Sequence, residues 1–90
     1  MKLVIDTKET GQKEGLESLL GEKVVLLCMN YFYTGELIGV NDKEVKLKNP
    51  SIIYETGEWS ASTWKDAQKL PVENAYVFMD KIETYFAVKK

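Results

Sequence analysis

The stretch Lys23–Asn49 decides the fold, with KVVLLCMN (23–30), YFYTGELIGVND (31–42) and KEVKLKN (43–49) as three successive β-prone segments. Gly35 and Gly39 interrupt the second segment, and glycine within a strand typically marks a bulge or a sharp bend. The third segment alternates, which predicts Val45 and Leu47 on its inner face and lysines on its outer face. Together the segments predict a strongly bent antiparallel meander of the kind that builds a small barrel.

The flanking sequence predicts one helix before the meander and two strands after it. Leu16, Leu19 and Leu20 share one face of a short helix expected at residues 14–20, and Gly21 is placed to end it. Further strands are expected at residues 75–79 and 82–88, followed by a solvated Lys89-Lys90 tail. The remaining segments are an N-terminal extension at 1–13 with a short strand at 1–6, and a long irregular loop at 55–74. The prediction is one mostly β domain, with a short N-terminal helix and a five-stranded antiparallel barrel.

Local patterns add detail to the three central strands. Val24–Met29 is continuously apolar, which indicates a strand covered on both faces, by the helix or by a neighbouring subunit. Asn41-Asp42-Lys43 is typical of a tight turn, and Pro50 is expected to interrupt regular pairing. Simple alternation predicts one face of the second strand with Tyr33, Gly35, Leu37 and Gly39 and the other with Thr34, Glu36, Ile38 and Val40.

The composition favours assembly as a source of stability. The chain has 90 residues, one cysteine and no histidine, so neither an internal disulfide nor a metal centre or cofactor is expected. A domain of this size buries only about 60–65% of its unfolded surface, which makes oligomerisation the expected support. Cys28, in an apolar strand, is expected to be a buried and inert thiol.

Chemistry and location are predicted mainly from what the sequence lacks. Without histidine, and with no base predicted beside Cys28 or the serines, the chain is not expected to be an enzyme. The lack of disulfides fits a reducing cytoplasm, which is the expected location. The apolar start ends at Asp6, so no signal peptide is expected, and no segment predicts a membrane span.

The order of elements and several residues resemble the Sm-like (LSm) family, including its bacterial branch of RNA chaperones. The segment Gly35–Asp42, GELIGVND, resembles the first Sm signature, and Val45, Leu47, Lys48 and Asn49 continue it without a gap. The helix entry with Leu16, Leu19, Leu20, Gly21 and Val24 resembles the start of that family's domain, and residues 78–88 its closing strand pair. The resemblance covers residues 14–49 and 76–88.

The resemblance implies a homo-oligomeric ring, as a hexamer or heptamer. In this family the fourth strand of one subunit pairs with the fifth strand of the next, which gives each edge strand a partner. On this chain those strands are residues 75–79 and 82–88. The interface residues implied are Val77, Phe78, Tyr85 and Phe86, with packing in the monomer core as the alternative for each.

The family also implies single-stranded RNA binding at loops that line the pore, here at Asn41, Asp42, Lys43 and Lys81. These positions depart from the family pattern. Asn41 stands where the family usually has an aspartate, and Lys43 stands where it has the aromatic residue that stacks on a base. In addition, Asp80 beside Lys81 would repel phosphate. All twelve basic residues are lysines and the net charge is −2, which argues against a broad nucleic-acid footprint. The alternative is a structural or protein-interaction module that binds no nucleic acid.

Two clusters of aromatic residues leave further alternatives open. Trp59 and Trp64 either form a partner or base-stacking surface or pin the long loop onto the barrel. The cluster Tyr31-Phe32-Tyr33 is interpreted as core and strand-pairing residues in preference to a base platform.

Overall fold

A computed structural model describes residues 15–90. The described chain is mostly β, with six antiparallel strands and two short 3-10 segments. The strands are β1 (Lys23–Cys28), β2 (Phe32–Val40), β3 (Glu44–Glu55), β4 (Asp66–Lys69), β5 (Asn74–Phe78) and β6 (Ile82–Ala87), and the 3-10 segments are Leu16–Leu19 and Met79–Lys81. The strand expected at residues 1–6 and the extension at 1–13 lie outside the described residues.

The sheet has the order β4-β3-β2-β1-β6, and β5 also pairs with β3. The long strand β3 serves two partners in turn, because residues 44–48 pair with β5 and residues 51–55 pair with β4. Pro50 lies where the partner changes, and its carbonyl accepts a hydrogen bond from the Leu70 N–H at 2.9 Å. Proline has no N–H for a ladder bond, so the expected interruption of pairing at Pro50 is confirmed as this change of partner.

The segment expected to be an irregular loop at 55–74 contains strand β4, so the prediction of five strands was wrong. Residues 66–69 have the sequence DAQK, and all of them are exposed. A strand with no buried face leaves no alternating apolar pattern in the sequence. The part of the expected loop that remains without a strand before β4, residues 56–65, is named the Trp loop here because it carries Trp59 and Trp64.

Two irregularities bend β2 against β3. One lies between Thr34 and Glu36, opposite Asn49–Pro50, and the second lies between Leu37 and Gly39. The second shift turns Val40 to the same core as Leu37, so the simple alternation predicted for β2 fails at its end. The inward positions predicted for β3 are confirmed, because Val45 and Leu47 are fully buried.

The sheet buries residues on both of its faces. One face holds a core cluster with Leu16, Val24, Leu26, Cys28, Leu37, Val40, Val45, Leu47 and Val77. Val25 is also fully buried but lies outside that cluster, and it pairs with Phe86 of β6. Because opposite residues share a face, Phe86 lies on the second face, where Trp59 packs against it with ring centroids 5.7 Å apart. The two-sided burial expected for β1 is confirmed, and the Trp loop of the same chain helps to cover the second face.

The expected helix at residues 14–20 is, in its described part, a single 3-10 turn at Leu16–Leu19. Gly15 precedes this turn without a side-chain cap, and Gly21 follows it with φ 88°. The two glycines leave room for little more than one turn, so a two-turn α-helix does not form. The apolar face is nevertheless used as predicted, because Leu16 joins the core cluster and Leu19 and Leu20 pack against it.

The hydrogen-bonded path between strands remains open within residues 15–90. β5 pairs with β3, β6 pairs with β1, and no pairing joins β5 to β6 in this part of the chain. Strands β4, β5 and β6 therefore each keep a free edge, and the hydrogen bonds do not close into a ring. No helix in the described residues is long and apolar enough to cross a bilayer.

Candidate functional site

The β2–β3 turn and the β5–β6 connection lie side by side. Lys43 and Met79 connect them, because the Met79 N–H donates a hydrogen bond to the Lys43 carbonyl at 2.8 Å. Next to this bond, Glu44 pairs with Phe78 at the start of the β3–β5 ladder. Residues 41–43 and 79–81 thus form one two-loop surface, and the four residues predicted to bind RNA all belong to it.

Asn41 has a structural role in the two-loop surface. Its side chain is buried, and its Oδ1 accepts hydrogen bonds from the N–H groups of Lys43 at 2.7 Å and Glu44 at 2.8 Å. These bonds confirm the predicted Asn-Asp-Lys turn. The Asn41 Nδ2 is buried and has no hydrogen-bond partner among the described residues, which leaves one amide donor behind the loop surface.

The exposed charges of the two-loop surface are balanced. Asp42, Lys43, Asp80 and Lys81 are all exposed, two acids and two bases. A phosphate at this surface would meet repulsion from the carboxylates as well as attraction from the ammonium groups. A single subunit therefore offers polar groups for recognition here without a strongly positive field.

The free edges of β5 and β6 carry exposed aromatic side chains. On β5, Tyr76 is 55% exposed and Phe78 is 64% exposed. On β6, Tyr85 is 38% exposed and Phe86 is 37% exposed. Val77, in contrast, is buried in the core cluster, so one of the four residues considered for an interface belongs to the monomer core.

A groove of about 390 Å³ lies beside the free edge of β5. We name it the open-edge groove, and it is lined by Cys28, Met29, Asn30, Tyr31, Tyr33, Tyr76, Val77, Phe78 and Lys81. Lys81 thus belongs both to this groove and to the two-loop surface. Burial, followed by the neighbouring Cys28, Tyr31 and Tyr54, raises the pKa of the Tyr33 phenol. The lining residues make the groove aromatic and largely apolar, which suits it to accept an apolar side chain.

The Cys28 thiol is expected to react slowly with thiol reagents. It is 6% exposed, and burial first and the charge of Glu83 second raise its pKa. The raised pKa keeps the thiol protonated, so the nucleophilic thiolate is scarce at pH 8. With a chromogenic disulfide reagent at that pH, we expect the folded protein to react at least roughly tenfold more slowly than the protein in denaturant. Equal rates would contradict the burial of Cys28.

A second candidate surface involves the Trp loop and the end of the chain described here. Trp59 contacts Trp64 edge-to-face at 5.7 Å, and the Lys90 ammonium lies 4.3 Å from the centroid of the Trp64 ring. Of the Lys89-Lys90 segment predicted to be a solvated tail, Lys89 is exposed as expected, whereas the prediction was wrong for Lys90. The two tryptophans stand out in the sequence as a candidate surface, but no sequence signal links them to a lysine more than twenty residues away.

The described residues contain no cluster of three or more histidine, cysteine, aspartate or glutamate side chains arranged for a metal ion. Comparisons of this chain with models of protein families, with curated proteins and with solved structures find no match. The free edges, the two-loop surface and the Trp loop are therefore the features of the described chain that point to a function.

Proposed function

We propose that this protein is an Sm-like subunit that assembles with copies of itself into a closed ring through the free edges of β5 and β6. The observation that carries the proposal is that β5, off the main path, pairs with β3, whereas β6 ends the order β4-β3-β2-β1-β6 at β1, so the two edges lie on opposite sides of the paired strands. A head-to-tail contact between two different edges repeats from subunit to subunit, and it closes into a ring when the rotation permits.

Exposure of side chains on both edges supports this assembly. An unpaired edge with exposed aromatic residues is a ready template for pairing with another chain. β5 presents Phe78 and the open-edge groove, and β6 presents Tyr85. Pairing β6 of one subunit with β5 of the next would satisfy the free backbone groups and bury these rings. A domain of this size gains needed stability from such burial.

The mass of the protein in solution tests the ring. Light scattering is expected to give six or seven times the chain mass of 10.3 kDa at micromolar protein. A monomer under these conditions would refute the proposed assembly.

Within such a ring, the two-loop surface is the proposed site for single-stranded RNA. The support is the hydrogen bond between Met79 and Lys43, which holds the two loops together as one polar surface. Lys43 and Lys81 would contact phosphate or base edges, and the unpaired Nδ2 of Asn41 would become a donor to a base if the turn shifts. Repetition around a ring would multiply weak contacts through avidity.

RNA binding is tested by titrating labelled oligo-U and oligo-A at low and moderate salt. Lys43→Glu and Lys81→Glu are each expected to weaken binding by about tenfold or more, because each replaces an attractive charge with a repulsive one at every subunit. Lys69→Glu on the exposed strand β4 is the matched control and should bind like the unchanged protein.

One observation favours a ring or module that binds no nucleic acid. Asp42 and Asp80 stand exposed on the same surface as the two lysines, and the chain as a whole is acidic. Absence of binding to both oligonucleotides at low salt, with the mass of a ring intact, would support this second function and refute the RNA site.

A further inference from the structure

The Lys90 ammonium is held by two carbonyl groups and two indole rings. Its Nζ donates hydrogen bonds to the carbonyl of Glu58 at 3.1 Å and to that of Trp59 at 3.0 Å. The same atom lies 4.3 Å from the ring centroid of Trp64 and 5.7 Å from that of Trp59. These four groups, here named the ammonium cage, surround one cation from several directions.

The groups of the cage match the chemistry of a primary ammonium. Each indole face attracts a cation through its quadrupole, and the attraction grows as water is excluded. The two carbonyls add hydrogen bonds that require N–H donors, and a lysine ammonium carries three of them. A trimethylated ammonium has no N–H and would leave both carbonyls without this partner. A neutral group of similar shape would lose the cation–π attraction.

Space for a ligand lies next to the cage. A pocket of about 820 Å³ is lined by the Trp59 ring, by residues 60–62 of the Trp loop and by residues 86–90. The Phe86 ring on its wall also contacts Trp59 at 5.7 Å, so the pocket continues the aromatic surface of the cage. A peptide that carries a lysine could rest in this pocket while its side chain reaches the two indoles.

We propose that the ammonium cage is a binding site for an unmethylated lysine side chain of a partner protein, and that Lys90 occupies it as an internal competitor. The occupant seen in the structure is itself the chemical match to the proposed ligand. An internal lysine competes at the effective concentration set by its short tether, on the order of millimolar. Binding of the partner's lysine therefore displaces Lys90 from the cage.

The test uses the full chain with Lys90→Gln and the probe Nα-acetyl-lysine N-methylamide, followed by indole fluorescence. Removing the competitor should make the fluorescence change saturable and the affinity at least about threefold tighter than in the unchanged protein. The Nε-trimethyl probe should bind more weakly, and the neutral Nε-acetyl probe should give no saturable change. Lys69→Gln, on the exposed strand β4 and outside the lining of the pocket, is the matched control and should behave like the unchanged protein.

Two results would overturn the proposal. One is an equal response of Lys90→Gln to the charged and the neutral probe, and the other is the same affinity in Lys69→Gln and Lys90→Gln. If Lys90→Gln does not fold, NMR of the unchanged protein decides the question. The Lys90 side-chain protons should be shifted upfield by the indole ring currents, and the charged probe should return them toward values typical of exposed lysine. Shifts that do not respond to saturating probe would refute the displacement.

Discussion

Replacing Gly35 by valine is expected to destabilise the fold by roughly 2–4 kcal/mol, through overpacking against β3. A Cβ atom at Gly35 would lie 3.0 Å from the Lys48 carbonyl oxygen, 3.2 Å from the Leu47 Cβ and 3.3 Å from the Pro50 Cα. The nearest of these atoms belong to the backbone and to a fully buried side chain, so they have little freedom to move. The two further methyl groups of valine would add to this conflict. Thermal and denaturant unfolding measure the loss, which should lower the midpoint by at least about 8 °C.

Gly21→Ala and Gly35→Ala separate two reasons why a position requires glycine, which are a left-handed backbone and a lack of space for a Cβ atom. Gly21 has φ 88° but open space around its Cβ position, so alanine there should cost only the strain of the left-handed backbone, about 1–2 kcal/mol. The backbone at Gly35 is not left-handed, and alanine there costs energy only through the close approach to β3. A loss below about 1 kcal/mol for Gly35→Val would show that β3 yields easily at this bend.

The parts of the fold that could be predicted are those in which burial imposes a pattern. β3 has alternating Val45 and Leu47 because one of its faces meets the core, and β1 is apolar from Val24 to Cys28 because both of its faces are covered there. The bend requires glycine at position 35 because the backbones of β2 and β3 approach closely there, which excludes larger residues. In each case, a wrong residue would cost free energy, so the sequence carries the signal.

The parts that could not be predicted are those in which burial is absent or the backbone leaves its regular period. β4 is exposed along its whole length, so hydrogen bonds with β3 define it and no apolar pattern does. Val40 lies on the other face than simple alternation predicts, because the irregularity between Leu37 and Gly39 adds one residue to β2 relative to β3. At the candidate sites, the turn of Asn41 was predictable from local chemistry, whereas the contact of Lys90 with Trp64 joins distant parts of the chain.

Single lysine substitutions on the free edges of β5 and β6 are expected to reduce the proposed ring to monomers. Phe78→Lys places a charge on the β5 edge, and Tyr85→Lys places one on the β6 edge. A lysine on an edge strand opposes pairing with another chain, because its charge would be buried on association. Both side chains are substantially exposed in the single chain, at 64% and 38%, so the fold itself should tolerate the changes. Light scattering should therefore give 10.3 kDa for each variant, with thermal unfolding of the monomer retained.

Val72→Lys is the matched control for these two variants. Val72 lies in the connection between β4 and β5, outside strands β5 and β6, and is 49% exposed. Like Phe78→Lys and Tyr85→Lys, this substitution replaces an exposed apolar side chain with a positive charge. It should leave the mass of the assembly unchanged. A fall to monomers in this control would attribute the effect to added charge in general and would remove the support for edge pairing.

A mixture of Phe78→Lys and Tyr85→Lys distinguishes head-to-tail pairing from a symmetric contact. In a head-to-tail ring, the intact β6 edge of the first variant meets the intact β5 edge of the second, and no further subunit can add. The mixture should therefore form a dimer of twice 10.3 kDa, although each variant alone is monomeric. A symmetric β5–β5 contact would instead leave Tyr85→Lys dimeric by itself, and a symmetric β6–β6 contact would leave Phe78→Lys dimeric. Only the head-to-tail contact requires both edges, so a dimer found in the mixture alone identifies the pairing from which a closed ring is built.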